Sequence, residues 1–184
     1  KQSYPKSNMR NSDVLSLFCG DITLLECDAI VNAANDQMLG CFSPMHKCID
    51  NCIHTFASPR LRDDMNKIMK LQKRREETGG AKITRAYNLP SKFVLHTVGP
   101  IYSEHNVEEN NRLLSSCYSK CLDLASEVPE CKSIAFCCIS TGVFHFPNKK
   151  AAEIAIETTN DWIDAHKGRF ERVVFNVFLQ IPKE

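Results

Sequence analysis

Residues 20–54 read GDITLLECDAIVNAANDQMLGCFSPMHKCIDNCIH and carry the pattern that decides the fold. The apolar run at residues 29–31 is typical of a buried strand. Two amide side chains, Asn32 and Asn35, follow where this strand is predicted to end. Ligands of open α/β sheets bind at the carboxyl ends of the strands, so the two asparagines indicate a binding site there. Either amide could instead satisfy loop backbone groups.

Directly after this strand, residues 41–48 bring two thiols and an imidazole together as Cys41, His46 and Cys48. Thiolates and imidazoles are ligands that Zn²⁺ prefers, and three ligands with one open position are typical of a catalytic zinc site. Residues two apart do not share a helix face, so His46 and Cys48 must lie in a loop or at a helix start, where a thiol pKa is lowered. We expect Cys52 to face the core. An ordinary loop in a cysteine-rich protein remains an equal alternative, because the spacing matches no standard zinc finger.

Strands alternate with helices along the chain. The patterns predict strands over residues 14–18, 24–31, 81–87, 93–98, 133–139 and 172–179, and helices over residues 47–55, 60–75, 110–127 and 148–166. This alternation predicts one three-layer α/β/α domain over residues 13–184 with a mixed central sheet, preceded by a flexible segment at residues 1–12. Loops after Phe18, Val31 and Ile139 are expected to leave strands at their carboxyl ends.

The third of these loops, residues 140–147, reads STGVFHFP. Its small residues would let backbone N–H groups approach a phosphate, and the following helix N-terminus would favour an anion. Pro147 suits the first turn of that helix. A plain strand–helix connection is the alternative interpretation.

Other polar residues also have functional or structural interpretations. Asp21, at a strand end, could accept a hydrogen bond from an amino group or cap a turn. Asp50 could act as an acid, a base or a helix cap. We expect His54 and His96 to be packed, hydrogen-bonded core histidines.

The composition excludes several classes of partner. A net charge of +1 over 184 residues, without a polybasic run, argues against nucleic acid and an anionic membrane surface. No apolar run reaches the roughly 18 residues of a membrane-spanning helix. The ten cysteines, several of them in apolar runs, predict a reducing compartment such as the cytoplasm. The first residue is Lys1, which is compatible with a trimmed sequence, so a missing signal peptide is uninformative.

Five short segments, taken in order, resemble the macrodomain family of ADP-ribose-binding modules. They are GDIT at residues 20–23, NAAN at 32–35, AKIT at 81–84, HTVGP at 96–100 and ISTG at 139–142. The resemblance covers about residues 13–180, and the ordered set is highly specific.

One departure from the family pattern is informative. Most hydrolytic macrodomains carry a run of glycines where this chain has CFSPMHKC at residues 41–48, whereas IDNCIH at residues 49–54 preserves the family's Asp and His. The loop resembles the zinc-containing macrodomain subclass, which removes ADP-ribose from modified proteins. The resemblance therefore implies zinc bound by Cys41, His46 and Cys48.

The resemblance also implies roles at matching positions. Asp21 would bind the adenine amino group with Ile22 beside it, and Phe178 would stack on adenine. Asp50 and Asn35 would be catalytic, with Asn35 at the distal ribose. The remaining implied ligand contacts are Asn32, the pyrophosphate-wrapping Ser140, Thr141, Gly142 and Val143, and Phe144 near the distal ribose. His145 stands where many family members have glycine, so no contact is implied for it.

These features predict a monomeric, zinc-dependent hydrolase that removes mono-ADP-ribose from protein side chains, with a carboxylate ester as the expected linkage. Zinc would hold a distal-ribose hydroxyl or activate a water, and Asp50 would orient that water or assist proton transfer. One alternative is a module that reads ADP-ribose without cleaving it. Another is a zinc ion that only pins the loop.

Overall fold

The structure, a computed structural model, describes residues 8–178. Its strands are β1 (Leu15–Cys19), β2 (Ala29–Ala34), β3 (Ala81–Arg85), β4 (Phe93–Val98), β5 (Ser133–Phe136) and β6 (Arg172–Val177). Its α-helices are α1 (Ile49–Ala57), α2 (Pro59–Gln72), α3 (Val107–Ser126) and α4 (Asn148–Ala165), and two short 3-10 helices span Ile22–Leu24 and Glu104–Asn106.

The strands form one mixed sheet in the order β1-β6-β5-β2-β4-β3. Every neighbouring pair is parallel except β3 and β4, which are antiparallel. Helices α1 and α2 pack together, as do α3 and α4, and the helices flank the sheet. The predicted three-layer α/β/α architecture is therefore confirmed. Because five strands run in one direction, the loops after β1, β2 and β5 leave the same edge of the sheet.

Strand β2 occupies the centre of the core but differs from its predicted bounds. Residues 29–31 are completely buried, as expected. The strand begins at Ala29, not at residue 24, because the Asp21 side chain caps a 3-10 helix over Ile22–Leu24. It continues to Ala34, so Asn32 lies within the strand and Asn35 directly after it.

The predicted flexible segment, residues 1–12, lies partly outside the described residues. Within the described part, Arg10 pairs with Asp161 at 2.8 Å and also with Asp164. Asn11 Nδ2 donates to Asn160 Oδ1 at 2.9 Å. These contacts attach residues 10 and 11 to α4. Within residues 8–178, no helix has the length and apolar character needed to cross a bilayer.

Candidate functional site

Asn35, directly after β2, is half-buried, and both halves of its amide contact the following loop. Its Nδ2 donates to Gly40 O at 3.1 Å, and its Oδ1 accepts from Gln37 N at 3.1 Å. The fully buried Met38 anchors the same loop. Asn35 therefore satisfies loop backbone groups, as one of its sequence interpretations predicted, and its contact with a ribose stays a prediction.

Asp50, in the first turn of α1, is 4% exposed, and its Oδ1 accepts a hydrogen bond from Asn32 Nδ2 at 2.8 Å. Burial raises the pKa of the Asp50 carboxyl. The Asn32 hydrogen bond and the Arg62 charge lower this pKa, but burial has the larger effect. Buried carboxyls with a raised pKa suit general acid–base work. The helix-cap interpretation is wrong, because the N-cap of α1 is Cys48.

His54 lies one helical turn after Asp50, with its Nε2 3.5 Å from Asp50 Oδ1. Burial and the nearby Arg62 charge lower the pKa of His54 to about 4, so its ring is neutral at pH 7. Within residues 8–178, neither ring nitrogen makes a hydrogen bond. His54 is thus packed as predicted, but the predicted hydrogen bond is wrong, because Nε2 lies 3.5 Å from Asp50 Oδ1 without making one.

His96, on β4, is fully buried and bonded at both ring nitrogens. Its Nδ1 lies 3.1 Å from Asn32 Nδ2, and its Nε2 lies 2.9 Å from Thr84 Oγ1. This confirms the prediction of a packed, hydrogen-bonded histidine. Burial lowers the pKa of His96 to about 3, with a smaller contribution from His54.

The low pKa of His96 predicts a loss of stability in mild acid. In the unfolded chain His96 takes up a proton near pH 6.5, whereas in the folded chain it does so only near pH 3. Its contribution is therefore present above pH 6.5 and is lost as the pH falls below that value. From pH 7 to pH 5 we expect this histidine alone to lower the free energy of unfolding by about 2 kcal/mol.

Urea denaturation at pH 7 and pH 5 measures this loss. His96→Asn should lose less stability between the two pH values than the wild type. The control His105→Gln, at an exposed position, should lose as much stability as the wild type. The loss of stability that remains in His96→Asn includes the contribution of His54. Equal losses in the wild type and the His96 variant would contradict the assignment.

Arg62, on α2, is a site residue that the sequence analysis missed. Its Nε donates to Leu39 O at 2.8 Å, and its guanidinium lies 4.9 Å from the centre of the Phe42 ring. Its charge lowers the pKa of both Asp50 and His54. No local pattern marks an arginine beside a buried leucine, and only the tertiary packing of α2 brings it against the loop that follows β2.

The three predicted metal ligands, Cys41, His46 and Cys48, lie together. Their ligand atoms are all within 4.8 Å of one another, and Cys41 Sγ lies 3.5 Å from His46 Nδ1. Zinc bonds of about 2.0–2.3 Å in tetrahedral geometry place ligand atoms roughly 3.5–3.8 Å apart. The separation of Cys41 Sγ and His46 Nδ1 falls in this range, and zinc binding by the whole set stays a prediction. All three side chains are half-buried, and Cys52 is not among the clustered ligand atoms.

Cys48 differs from the sequence expectation in its acidity. Its Sγ accepts a hydrogen bond from Asn51 N at 3.4 Å, as expected at a helix start. Burial and the neighbouring Cys41 nevertheless raise the pKa of the Cys48 thiol to about 11. The predicted lowering by the helix is therefore outweighed, because desolvation by burial is the largest influence on this thiol. A divalent cation would reverse this balance by binding the thiolate.

The loop between β5 and α4 has free peptide N–H groups. In the described part of the chain, the N–H groups of residues 141–144 donate to no acceptor. Ser140, with φ of 64°, accepts from Phe146 N at 3.0 Å, which closes the loop. Gly99 is required beside it, since a Cβ there would lie 2.1 Å from Ser140 Oγ. Free N–H groups before a helix N-terminus form a concavity suited to phosphate.

The side chains of this loop differ in exposure. Thr141 and Phe144 are half-buried, whereas Gly142 and Val143 are exposed. His145 has φ of 55°, in the left-handed region that favours glycine, which gives a physical reason for the glycine that many resembling proteins have there.

Asp21 caps the 3-10 helix after β1. Its Oδ1 accepts from Thr23 N at 2.9 Å and from Thr23 Oγ1 at 2.7 Å. Its Oδ2 accepts no hydrogen bond from any described residue, so one oxygen of this exposed carboxylate is left for a ligand. The Ile22 side chain is 2% exposed and packs in the core, and its carbonyl accepts from Leu25 N at 3.2 Å, which leaves its peptide N–H for a ligand contact. Phe178, after β6, is 71% exposed.

Comparison with known proteins places this geometry in a family. The chain is 58% identical over 161 residues to a protein of Treponema medium named protein-ADP-ribose hydrolase, covering 88% of this chain and 61% of that protein. It is 49% identical over 177 residues to a protein of the same name from Staphylococcus aureus strain MRSA252, covering 94% and 66%. The chain thus spans less than two thirds of the length of these curated relatives.

A solved structure agrees in fold. The Oceanobacillus iheyensis macrodomain with ADP superposes with a TM-score of 0.80 at 34% identity, covering 94% of this chain and 87% of that one. A family model described as Macro domain matches residues 31–155. These residues include most of β2, the cysteine–histidine loop, Asp50 and the loop before α4. The chain belongs to the macro domain family.

Proposed function

We propose that this chain is a zinc-dependent hydrolase that releases ADP-ribose from mono-ADP-ribosylated protein side chains linked through a carboxylate ester. The observation that carries the proposal is the placement of three features in loops and helix starts at one edge of the sheet. These are the free N–H groups of residues 141–144, the buried Asp50 and the cluster of Cys41, His46 and Cys48. The names of the two bacterial relatives support the hydrolytic reaction.

Each loop binds a different part of the substrate in this proposal. Asp21 Oδ2 accepts from the adenine amino group, Phe178 stacks on the ring, and the N–H groups of residues 141–144 bind the pyrophosphate. Asn35 contacts the distal ribose. The bond that breaks joins C1″ of this ribose to the side-chain oxygen; water adds its hydroxyl to C1″ and gives its proton to Asp50, and the side chain leaves as a carboxylate.

Asp50 is the residue that acts on the water. Its burial keeps bulk water away, and its raised pKa makes it a stronger base than an exposed carboxylate. The carboxylate can orient the attacking water and accept its proton. Zinc, when bound by Cys41, His46 and Cys48, supplies a Lewis acid at its open position. The proposal includes a monomer in a reducing compartment, where the chain's ten free thiols stay reduced.

The second candidate is a module that binds ADP-ribose without cleaving it. Binding needs the adenine and pyrophosphate contacts but neither a buried Asp50 nor a thiolate–imidazole cluster, which favours the enzyme. The deciding experiment incubates the protein with a target that carries mono-ADP-ribose on carboxylates and measures free ADP-ribose. A target modified on arginine is the matched control for the linkage. Tight binding without release would establish the reader and reject the hydrolase.

Purified protein is expected to hold about one zinc per chain. Cys48→Ser should remove most of it, because only two ligands then remain, whereas Cys52→Ser should retain it, because that thiol lies outside the cluster. Elemental analysis measures the ratio. Full occupancy in Cys48→Ser would remove Cys48 from the ligand set.

Asp21→Ala is expected to weaken ADP-ribose binding by about 1.5–3 kcal/mol, the scale of a charge-assisted hydrogen bond. Calorimetry measures the change. Since the alanine also removes the turn cap, Asp21→Asn is the informative control: it can keep the Oδ1 acceptor for Thr23 but loses the charge. Unchanged affinity in both variants would reject the adenine contact.

A further inference from the structure

A chain of buried polar side chains leads from the far edge of the sheet to Asp50. Thr84 on β3, His96 on β4 and Asn32 on β2 are 7%, 0% and 0% exposed. Thr84 Oγ1 lies 2.9 Å from His96 Nε2, His96 Nδ1 lies 3.1 Å from Asn32 Nδ2, and Asn32 Nδ2 lies 2.8 Å from Asp50 Oδ1. Each contact joins a different pair of elements.

The sheet register explains why these side chains meet. Asn32 and His96 are direct partners across the parallel pair of β2 and β4. Burying an amide and an imidazole costs free energy unless their hydrogen bonds are made, and apolar residues would fill the same space without that cost. The chain ends at one carboxylate, Asp50, which points to a role in placing that group.

The contacts determine which way each hydrogen bond runs. An ionised Asp50 can only accept, so Asn32 presents its N–H₂ and not its oxygen. The second hydrogen of that N–H₂ points to His96 Nδ1, which must therefore be the unprotonated, accepting nitrogen. A neutral His96 then carries its proton on Nε2 and donates to Thr84 Oγ1. Every direction follows from the carboxylate at one end of the chain.

Reversing any one bond breaks the others. A proton on His96 Nδ1 would face the N–H₂ of Asn32, and the amide would have to turn. Its oxygen would then face the Asp50 carboxylate, and two acceptors would oppose each other. The accepting Nδ1 of His96 and the Asp50 carboxylate thus favour the same orientation of the Asn32 amide. The Asn32 oxygen itself has no hydrogen-bond partner among the described residues, so there the amide is held only through its Nδ2, by Asp50 and His96.

We propose that His96 is a positioning residue, which holds the Asn32 amide so that its N–H₂ fixes the Asp50 carboxylate at the reacting centre. This role rests on the hydrolysis proposed above. It also gives a different role to Asn32, which was expected to contact the ligand, because this side chain is completely buried and bonded to Asp50. His96 touches no substrate and acts only through Asn32.

Two substitutions at His96 separate positioning from a general effect on the core. His96→Leu fills the space but removes the acceptor, and His96→Asn keeps an acceptor near the place of Nδ1. We expect His96→Leu to lower kcat for ADP-ribose release by at least about tenfold, with KM and the Kd for free ADP-ribose within about threefold. His96→Asn should restore most of the rate.

The histidine tautomer provides a readout that does not depend on activity. In ¹⁵N-labelled protein, the NMR spectrum of His96 should show a protonated Nε2 and an unprotonated Nδ1. A proton on Nδ1 would overturn the proposal. So would a His96→Leu variant that is folded and as fast as the wild type, or a loss of rate that His96→Asn does not restore.

Two further outcomes also decide whether His96 positions the Asn32 amide. If His96→Leu does not fold, Thr84→Val removes the acceptor for Nε2 at the other end of the chain. It should then lower kcat without changing the Kd, and an unchanged kcat would reject the proposal. If the wild type releases no ADP-ribose, the proposed function fails and the positioning role falls with it. An active wild type with an equally active His96→Leu rejects the positioning role alone.

Discussion

Removing zinc from the purified protein is expected to slow single-turnover release of ADP-ribose by at least ~100-fold, the scale of a lost charge-stabilising group. The affinity for free ADP-ribose should change by less than about tenfold, roughly 1.4 kcal/mol. The two effects separate because the adenine and pyrophosphate contacts belong to other loops. Asp21 and residues 141–144 lie outside the loop of residues 41–48 and use none of its ligands.

Both quantities must be measured on one metal-depleted sample, with circular dichroism confirming that it stays folded. Adding zinc back should restore the rate, and adding magnesium should not, since thiolates bind magnesium poorly. A full rate without metal would reject a catalytic zinc. Affinity and rate that fall together would instead support a zinc ion that only pins the loop from Cys41 to Cys48.

Asp50→Asn is expected to lower the rate of release by about 100-fold or more, because the amide cannot accept a proton from water. Size and burial are kept, so the fold and the bound zinc should remain. The Kd for ADP-ribose should stay within about threefold. Single-turnover kinetics, calorimetry and elemental analysis on the same preparation test all three statements.

Asp63→Asn, on the exposed face of α2, is the matched control and should behave as the wild type. A variant of Asp50 that keeps the wild-type rate would remove this residue from the reaction. A variant that loses zinc as well would show that Asp50 supports the cysteine–histidine loop, and the loss of rate could then not be assigned to proton transfer. The comparison with the zinc-depleted protein distinguishes these cases.

The sequence by itself predicted the layers of the fold and the proximity of the three side chains in the cysteine–histidine loop. Alternating strand and helix patterns depend on neighbouring residues, and Cys41, His46 and Cys48 are close along the chain, so their proximity follows from short spacing. The cap at Asp21 was also one of the local alternatives. Strand ends were predicted less well, because Asp21 caps a 3-10 helix over Ile22–Leu24 and the strand predicted from residue 24 begins only at Ala29.

The tertiary structure alone decided what surrounds Asp50. Asn32 and His96 are 64 positions apart and meet only through the register of β2 with β4. Arg62 reaches the loop after β2 only because α2 packs there. The burial that raises the pKa of Cys48 likewise outweighs the effect of its helix position. These properties depend on which distant elements pack together, and local residue patterns carry no information about that packing.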